Sequence, residues 1–133
     1  MIDVETKVFD FVYPYVTTID GFPANSFKSQ FVLNPESFPF ATLMEMDNFT
    51  DTRHRGTADR EEYAIITYEA NAYALSKPEC RKVMDAIDAG MSDLGFNRIS
   101  MQFIPNLADI SLFRLTARYQ AAVNNDHTIF RRR

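Results

Sequence analysis

The order of hydrophobic patterns along the 133-residue chain predicts an α+β fold, a two-layer structure in which two helices cover one face of a four-stranded, mainly antiparallel sheet. Two stretches have helical spacing of apolar residues, three alternate as strands do, a fourth is rich in β-formers, and one long polar stretch separates the first two strands. The predicted element order is α-β-β-α-β-β. With 46% apolar residues and one cysteine, we expect a single domain over residues 1–133 that folds on a hydrophobic core without a disulfide.

Both predicted helices have a clear apolar stripe. The first is predicted over residues 2–13, ending before Pro14, because apolar side chains recur there at helical spacing: Val4, Val8, Phe11 and Val12. The second is predicted over residues 77–94. A capping box begins at Ser76, and Gly95 stands where a left-handed C-terminal cap belongs.

The strand at about 40–47 is predicted because strong β-formers follow one another there with no breaker after Pro39. Alternation of apolar and polar residues predicts the strands at 62–74, 97–104 and 111–123, the last two forming a hairpin. In the strand at 62–74 we expect one face in the core and the other wet along part of its length. In the third strand, one face is predicted to carry Ile99, Met101 and Phe103, and the other Arg98, Ser100 and Gln102. Residues 14–38 contain several proline, glycine and asparagine residues, which favour an irregular connection that packs its aromatic side chains.

Two segments stand outside these regular elements. Residues 48–60 are strongly polar and predict a long, exposed hairpin loop, a kind of loop that is usually functional or is ordered by a partner. Residues 124–133 have no hydrophobic period and end in three arginines. The net charge of −4 is uneven, with about −5 over residues 1–49 and about +4 over residues 96–133, so opposite ends of the molecule can attract different partners or two copies of the chain. A solvated tail without a partner explains the arginines equally well.

Few residues point to catalysis, a metal or a cofactor, and we expect none of the three. His54 and His127 are the only histidines, and neither has a second ligand at metal-binding spacing. Cys80 falls on the apolar stripe of the second helix, where a thiolate is disfavoured. The four glycines form no phosphate-binding motif. No apolar run approaches the length of a membrane span, and the acidic N-terminus is unlike a signal peptide, so a soluble, non-secreted protein is expected.

The order of these segments resembles that of the tail terminator and minor capsid (head–tail joining) proteins of tailed bacteriophages. The resemblance covers about residues 37–123 and is carried by FATL at 40–43, the polar loop, EYAIITYEANAY at 62–73, SKPE at 76–79, MSDLGFNR at 91–98 and LFRLTARY at 112–119. It implies a structural virion protein of the head–tail junction that assembles in the host cytoplasm. Members of this group form rings, typically hexameric, that terminate the tail tube and meet the tail-tube protein and the head connector protein.

Within that resemblance, two sets of residues become candidates. The loop set, a candidate subunit interface, comprises Arg53, His54, Arg55 and Arg60; the second set, for a ring surface or its lumen, comprises Arg114, Arg118, Arg131, Arg132 and Arg133. Contact with DNA passing through the ring is left open. The alternatives are another head–tail connector or minor capsid component, a small ligand-binding or catalytic α+β domain, and a nucleic-acid-binding domain, which the sequence pI near 5.1 disfavours.

Overall fold

The computed structural model describes residues 2–30, 32, 35, 37–50, 63–105 and 111–130 of the chain. Its elements follow in the order α1 (Glu5–Thr17), β1 (Phe27–Lys28), β2 (Phe40–Thr50), β3 (Tyr63–Ala74), α2 (Lys77–Leu94), β4 (Asn97–Ile104), β5 (Phe113–Asn124) and β6 (Ile129–Phe130). The α+β class is therefore confirmed. Neither described helix is both long and apolar enough to cross a membrane.

The sheet is larger than predicted. Its strands lie in the order β1-β2-β3-β5-β4, with β6 paired to β5, so six strands take part instead of four. The four long strands pair only in antiparallel fashion, and the predicted hairpin of β4 and β5 is confirmed. Strand β1 is parallel to β2, which makes the sheet mixed. Both extra strands are two residues long, too short to produce a hydrophobic period, and they lie in segments predicted to be irregular.

Helix α2 has the predicted boundaries. The Ser76 side chain accepts a 3.3 Å hydrogen bond from the backbone N–H of Glu79, and Gly95 closes the helix with a positive φ of 105°. Cys80 is fully buried, as its place on the apolar stripe predicts. Near the other end, Gly90 lets α1 approach closely, because a Cβ there would lie 3.2 Å from the Val12 side chain.

Helix α1 differs from its prediction at the C-terminal end. It continues through Pro14 to Thr17, because its next turn buries Val16 completely. A proline within a helix costs roughly 3 kcal/mol, and burial of a valine stabilises by about 1.5–3 kcal/mol. The carbonyl of Asp10, which Pro14 leaves without a helical donor, belongs to an exposed residue that water can reach. Phe11 lies outside the buried stripe and is 40% exposed.

The two helices contact each other and share one core with alternate residues of the long strands, so both lie on the same face of the sheet. On β3 this face is entirely buried, as predicted, and comprises Ala64, Ile66, Tyr68, Ala70, Ala72 and Ala74. The opposite face of β3 was predicted to be wet along part of its length; Tyr63 and Thr67 are half-buried there, whereas Ile65, Glu69, Asn71 and Tyr73 are buried. We call this opposite side the helix-free face, since both described helices cover the other one.

Two local predictions about the strands were wrong: the end of β2, and the faces of two residues in β4. Strand β2 runs on to Thr50, so the first residues of the predicted loop 48–60 are part of the sheet; residues 51–60 lie outside the described residues. A register shift between Arg98 and Ser100 places Arg98 on the helix side of β4 and leaves Ile99 54% exposed. A bulge adds one residue to a strand, and simple alternation of sequence does not reveal it.

Candidate functional site

The helix-free face carries a ladder of polar side chains across the middle of the sheet. Pairing of β3 with β5 sets Glu69 opposite Arg118 and Asn71 opposite Thr116. Since side chains alternate along a strand, these residues project from the same face. Thr42 of β2 pairs with Asn71 from the other side, so three strands contribute to one polar cluster.

Asn71 is the centre of this cluster and is fully buried. Its Oδ1 atom accepts hydrogen bonds from Arg114 Nε at 2.9 Å and from Thr116 Oγ1 at 2.7 Å. Its Nδ2 group donates to Thr42 Oγ1 at 3.3 Å and to Glu69 Oε1 at 3.2 Å. All four hydrogen-bonding positions of the amide are therefore used, which is what a buried amide requires.

Glu69 lies between two arginines. Its carboxylate is 3.6 Å from Arg114 Nη2 through Oε1, and 3.4 Å from Arg118 Nη2 through Oε2. The Glu69 side chain is 10% exposed, and a carboxylate buried to this degree requires opposite charge nearby. Two guanidinium groups for one carboxylate give the cluster a formal charge of about +1. We call Glu69, Arg114 and Arg118 the arginine–glutamate cluster.

The cluster lines a groove of about 480 Å³ whose other walls come from β4 and β5, through Ser100, Gln102, Ile104 and Thr116. Arg118 is 54% exposed at the groove, whereas Arg114 is 30% exposed. Arg114 lies over the ring of Tyr73, with its Cζ atom 5.7 Å from the ring centre. This packing holds one guanidinium in place and leaves the other able to reach a partner.

Burial is the largest influence on the pKa of the neighbouring Tyr73 and raises it. The positive charge of Arg114 lowers this pKa, and the negative charge of Glu69 raises it. The Tyr73 side chain beside the cluster is therefore uncharged at physiological pH. Chemically, the groove offers guanidinium, hydroxyl and amide groups, a set that binds carboxylates and other oxyanions.

A second, smaller cleft of about 210 Å³ lies where α2 meets β4 and β5. There the Tyr119 hydroxyl donates a 3.0 Å hydrogen bond to Asp88 Oδ1, and Arg98 Nη1 lies 3.4 Å from the same oxygen. Burial first, and Asp88 second, raises the pKa of Tyr119. These contacts join α2 to the sheet, so we assign this cleft a structural role.

Helix α1 and the residues before it carry an excess of exposed acids. Asp3, Glu5 and Asp10 are exposed, and Lys7 is the only cation between residues 2 and 17. The negative charges of Glu5 and Asp3 contribute, after burial, to the raised pKa of Glu45 on β2. Phe11 and Tyr13, near Asp10 in sequence, are 40% and 41% exposed. We call the exposed side of residues 3–13 the acidic α1 surface.

Of the residues that the sequence marked, the structure brings Arg114 and Arg118 together on one face. Arg53, His54, Arg55, Arg60, Arg131, Arg132 and Arg133 lie outside the described residues. His127 is exposed in a turn with a positive φ of 63°. The sequence prediction missed Glu69 and Asn71, although both interrupt an otherwise apolar strand, and that interruption was the available signal.

Cys80 is fully buried in the core on the helix side, which is unlike the partly exposed position of a reactive cysteine. Burial raises the pKa of its thiol to about 11, and its Sγ atom donates to the carbonyl of Phe113 at 3.3 Å. The part of the chain that the structure describes contains no group of three or more His, Cys, Asp or Glu side chains that could hold a metal. A scan of protein-family models and a search of curated proteins found no match to this chain.

Proposed function

We propose that the chain is a structural protein of a tailed-bacteriophage particle, which forms a ring at the end of the tail tube, terminates tail growth and joins the tail to the head. In this proposal it has no catalytic step. Its partners are further copies of itself in a hexameric ring, the tail-tube protein and the head connector protein. It acts at the head–tail junction of the virion after assembly in the host cytoplasm.

The observation that carries this proposal is a pair of surface patches of opposite charge on different elements. The arginine–glutamate cluster lies on the helix-free face of the sheet, whereas the acidic α1 surface belongs to the helix that packs on the other face. Unlike charges on different surfaces of one chain favour head-to-tail contacts between copies, and such contacts close into a ring when the rotation allows it. The resemblance of residues 37–123 to tail terminator proteins supports the same proposal independently.

The test is the mass of the purified protein by light scattering over a wide concentration range, alone and with tail-tube protein. We expect a mass near that of six protomers, and ring-shaped particles by negative-stain electron microscopy. Tail-tube protein that polymerises without limit should give tubes of finite length when this chain is added. A strict monomer under all these conditions, with no effect on tube length, would contradict the proposal.

A further inference from the structure

We propose that the arginine–glutamate cluster on the helix-free face of one copy binds the acidic α1 surface of a second copy. This inference rests on the proposed function and specifies which two surfaces meet in the ring. It commits to one occupant of the groove beside Glu69: carboxylate side chains carried by α1 of the neighbouring subunit.

The charge of the cluster favours a carboxylate surface over a nucleic acid. Two arginines share one buried carboxylate, so the groove has an excess of about one positive charge. That excess is concentrated at Arg118, the more exposed of the two. Binding to a nucleic-acid backbone uses many cations to neutralise many phosphates, whereas this groove has an excess of only about one. One or two carboxylates match the available charge.

The α1 surface has the complementary features. Its three exposed acids outnumber its single cation, and Lys7 Nζ already donates a 2.7 Å hydrogen bond to the carbonyl of His127. Phe11, whose ring contacts Tyr15, and Tyr13, whose ring contacts Phe27, expose aromatic area on different flanks of α1 near Asp10. Aromatic residues and arginine are enriched at subunit interfaces, where they supply buried area around a few charge contacts. The surface therefore combines the charge and the apolar area that an interface needs.

Both surfaces can be tested by cross-linking, because Cys80 is the only native cysteine and is fully buried. Thr6→Cys places a thiol on the exposed side of α1, one turn from Asp10, and Ser100→Cys places one in the groove beside Arg118, so both charges of the proposed contact are kept. The two variants are mixed and treated with a short bismaleimide linker. Arg98→Cys is the matched control, since Arg98 is another exposed residue of β4 but lies on the helix side.

We expect a cross-linked dimer from the mixture of Thr6→Cys with Ser100→Cys, and little from either variant alone or from Thr6→Cys with Arg98→Cys. Circular dichroism of each variant verifies folding. If the wild-type protein forms a ring but the Arg98→Cys mixture cross-links as well as the Ser100→Cys mixture, this inference is overturned while the proposed function stands. If the wild-type protein is monomeric with and without tail-tube protein, both fail.

A second measurement uses milder substitutions that keep polar contacts. Arg118→Gln and Asp10→Asn should each weaken self-association about threefold to tenfold at low salt, and the double variant should lose less than the product of the two. Asp85→Asn, an exposed acid on α2, is the matched control and should change little. The inference is overturned if the effects of Arg118→Gln and Asp10→Asn on self-association simply multiply in the double variant. It is also overturned if Arg118→Gln abolishes binding to duplex DNA but leaves self-association unchanged.

Discussion

Replacing Asn71 with alanine should destabilise the protein more than an ordinary polar substitution in a sheet. The side chain is completely buried and makes four hydrogen bonds to residues of β2, β3 and β5. Alanine removes all four and leaves Thr42, which is also fully buried, without its amide partner. The loss therefore includes the desolvation of groups that remain in place.

The size of the effect follows from the individual contacts. The 2.7 Å bond from Thr116 is between neutral groups and contributes about 1 kcal/mol, whereas the 2.9 Å bond from Arg114 involves a charge and contributes about 1.5–2 kcal/mol. The two longer bonds, at 3.2 and 3.3 Å, contribute about 0.5 kcal/mol each. With a small cavity added, the expected loss in the free energy of unfolding is about 3–5 kcal/mol.

The assay is equilibrium unfolding in urea, monitored by circular dichroism and tyrosine fluorescence. The midpoint should fall while the m-value stays constant, since the folded structure still buries the same surface. Asn48→Ala is the matched control: Asn48 is a half-buried asparagine of β2 whose Nδ2 donates a 2.7 Å bond to the carbonyl of Ile2 and whose side chain also hydrogen-bonds Glu45, so only about 1–2 kcal/mol should be lost. Equal losses in the two variants would refute the reasoning.

Three further predictions concern the helix side. Gly90→Leu should lower stability by about 2 kcal/mol or more, because a Cβ at this position already meets Val12 at 3.2 Å; Ala89→Leu, on the exposed neighbour, should cost little in the same thermal melt. Cys80 should react with a thiol reagent at least about a hundredfold more slowly in the folded protein than in urea, since burial raises its pKa to about 11; equal rates would contradict its place in the core. Burial, then Glu5 and Asp3, raises the pKa of Glu45 from 4.5, so the folded state holds more protons than the unfolded one above that pH and stability falls as pH rises. Glu45→Gln should therefore be more stable than wild type at neutral pH and lose this advantage below pH 4.5. A variant that is less stable than wild type at neutral pH in urea unfolding would contradict the predicted direction of the pKa shift.

Local signals explain which elements could be predicted. Helix α2 is bounded by a serine cap and a left-handed glycine, both of which act within one turn, so its limits follow from the sequence alone. The end of α1 does not, because continuation through Pro14 depends on the burial of Val16 against other elements. Strand β1 forms only through parallel pairing with β2, 14 residues further along the chain, and β6 is the two-residue arm of a hairpin with β5; both are too short for a hydrophobic pattern to mark them.

The arginine–glutamate cluster shows the same limit at the level of the site. Alternation along β5 correctly places Arg114 and Arg118 on its helix-free side, but alternation does not say which strand lies beside them. Their contacts on β3 are 43 residues away at Asn71 and 49 residues away at Glu69. The cluster could therefore be identified only once the strand order was known.

The strand order has a physical reason that connects the fold to the proposed interface. Strands β3 and β4 are joined through α2 and run parallel to each other, since each is antiparallel to β5. Insertion of β5 between them makes every pairing of the long strands antiparallel, with hydrogen bonds of the slightly more stable type. The same insertion places the two arginines of β5 beside the buried acid of β3. The order β2-β3-β4-β5 would instead put the neutral side chains on the helix-free side of β4, Ser100, Gln102 and Ile104, next to Glu69. The Glu69 carboxylate would then have no arginine on the neighbouring strand.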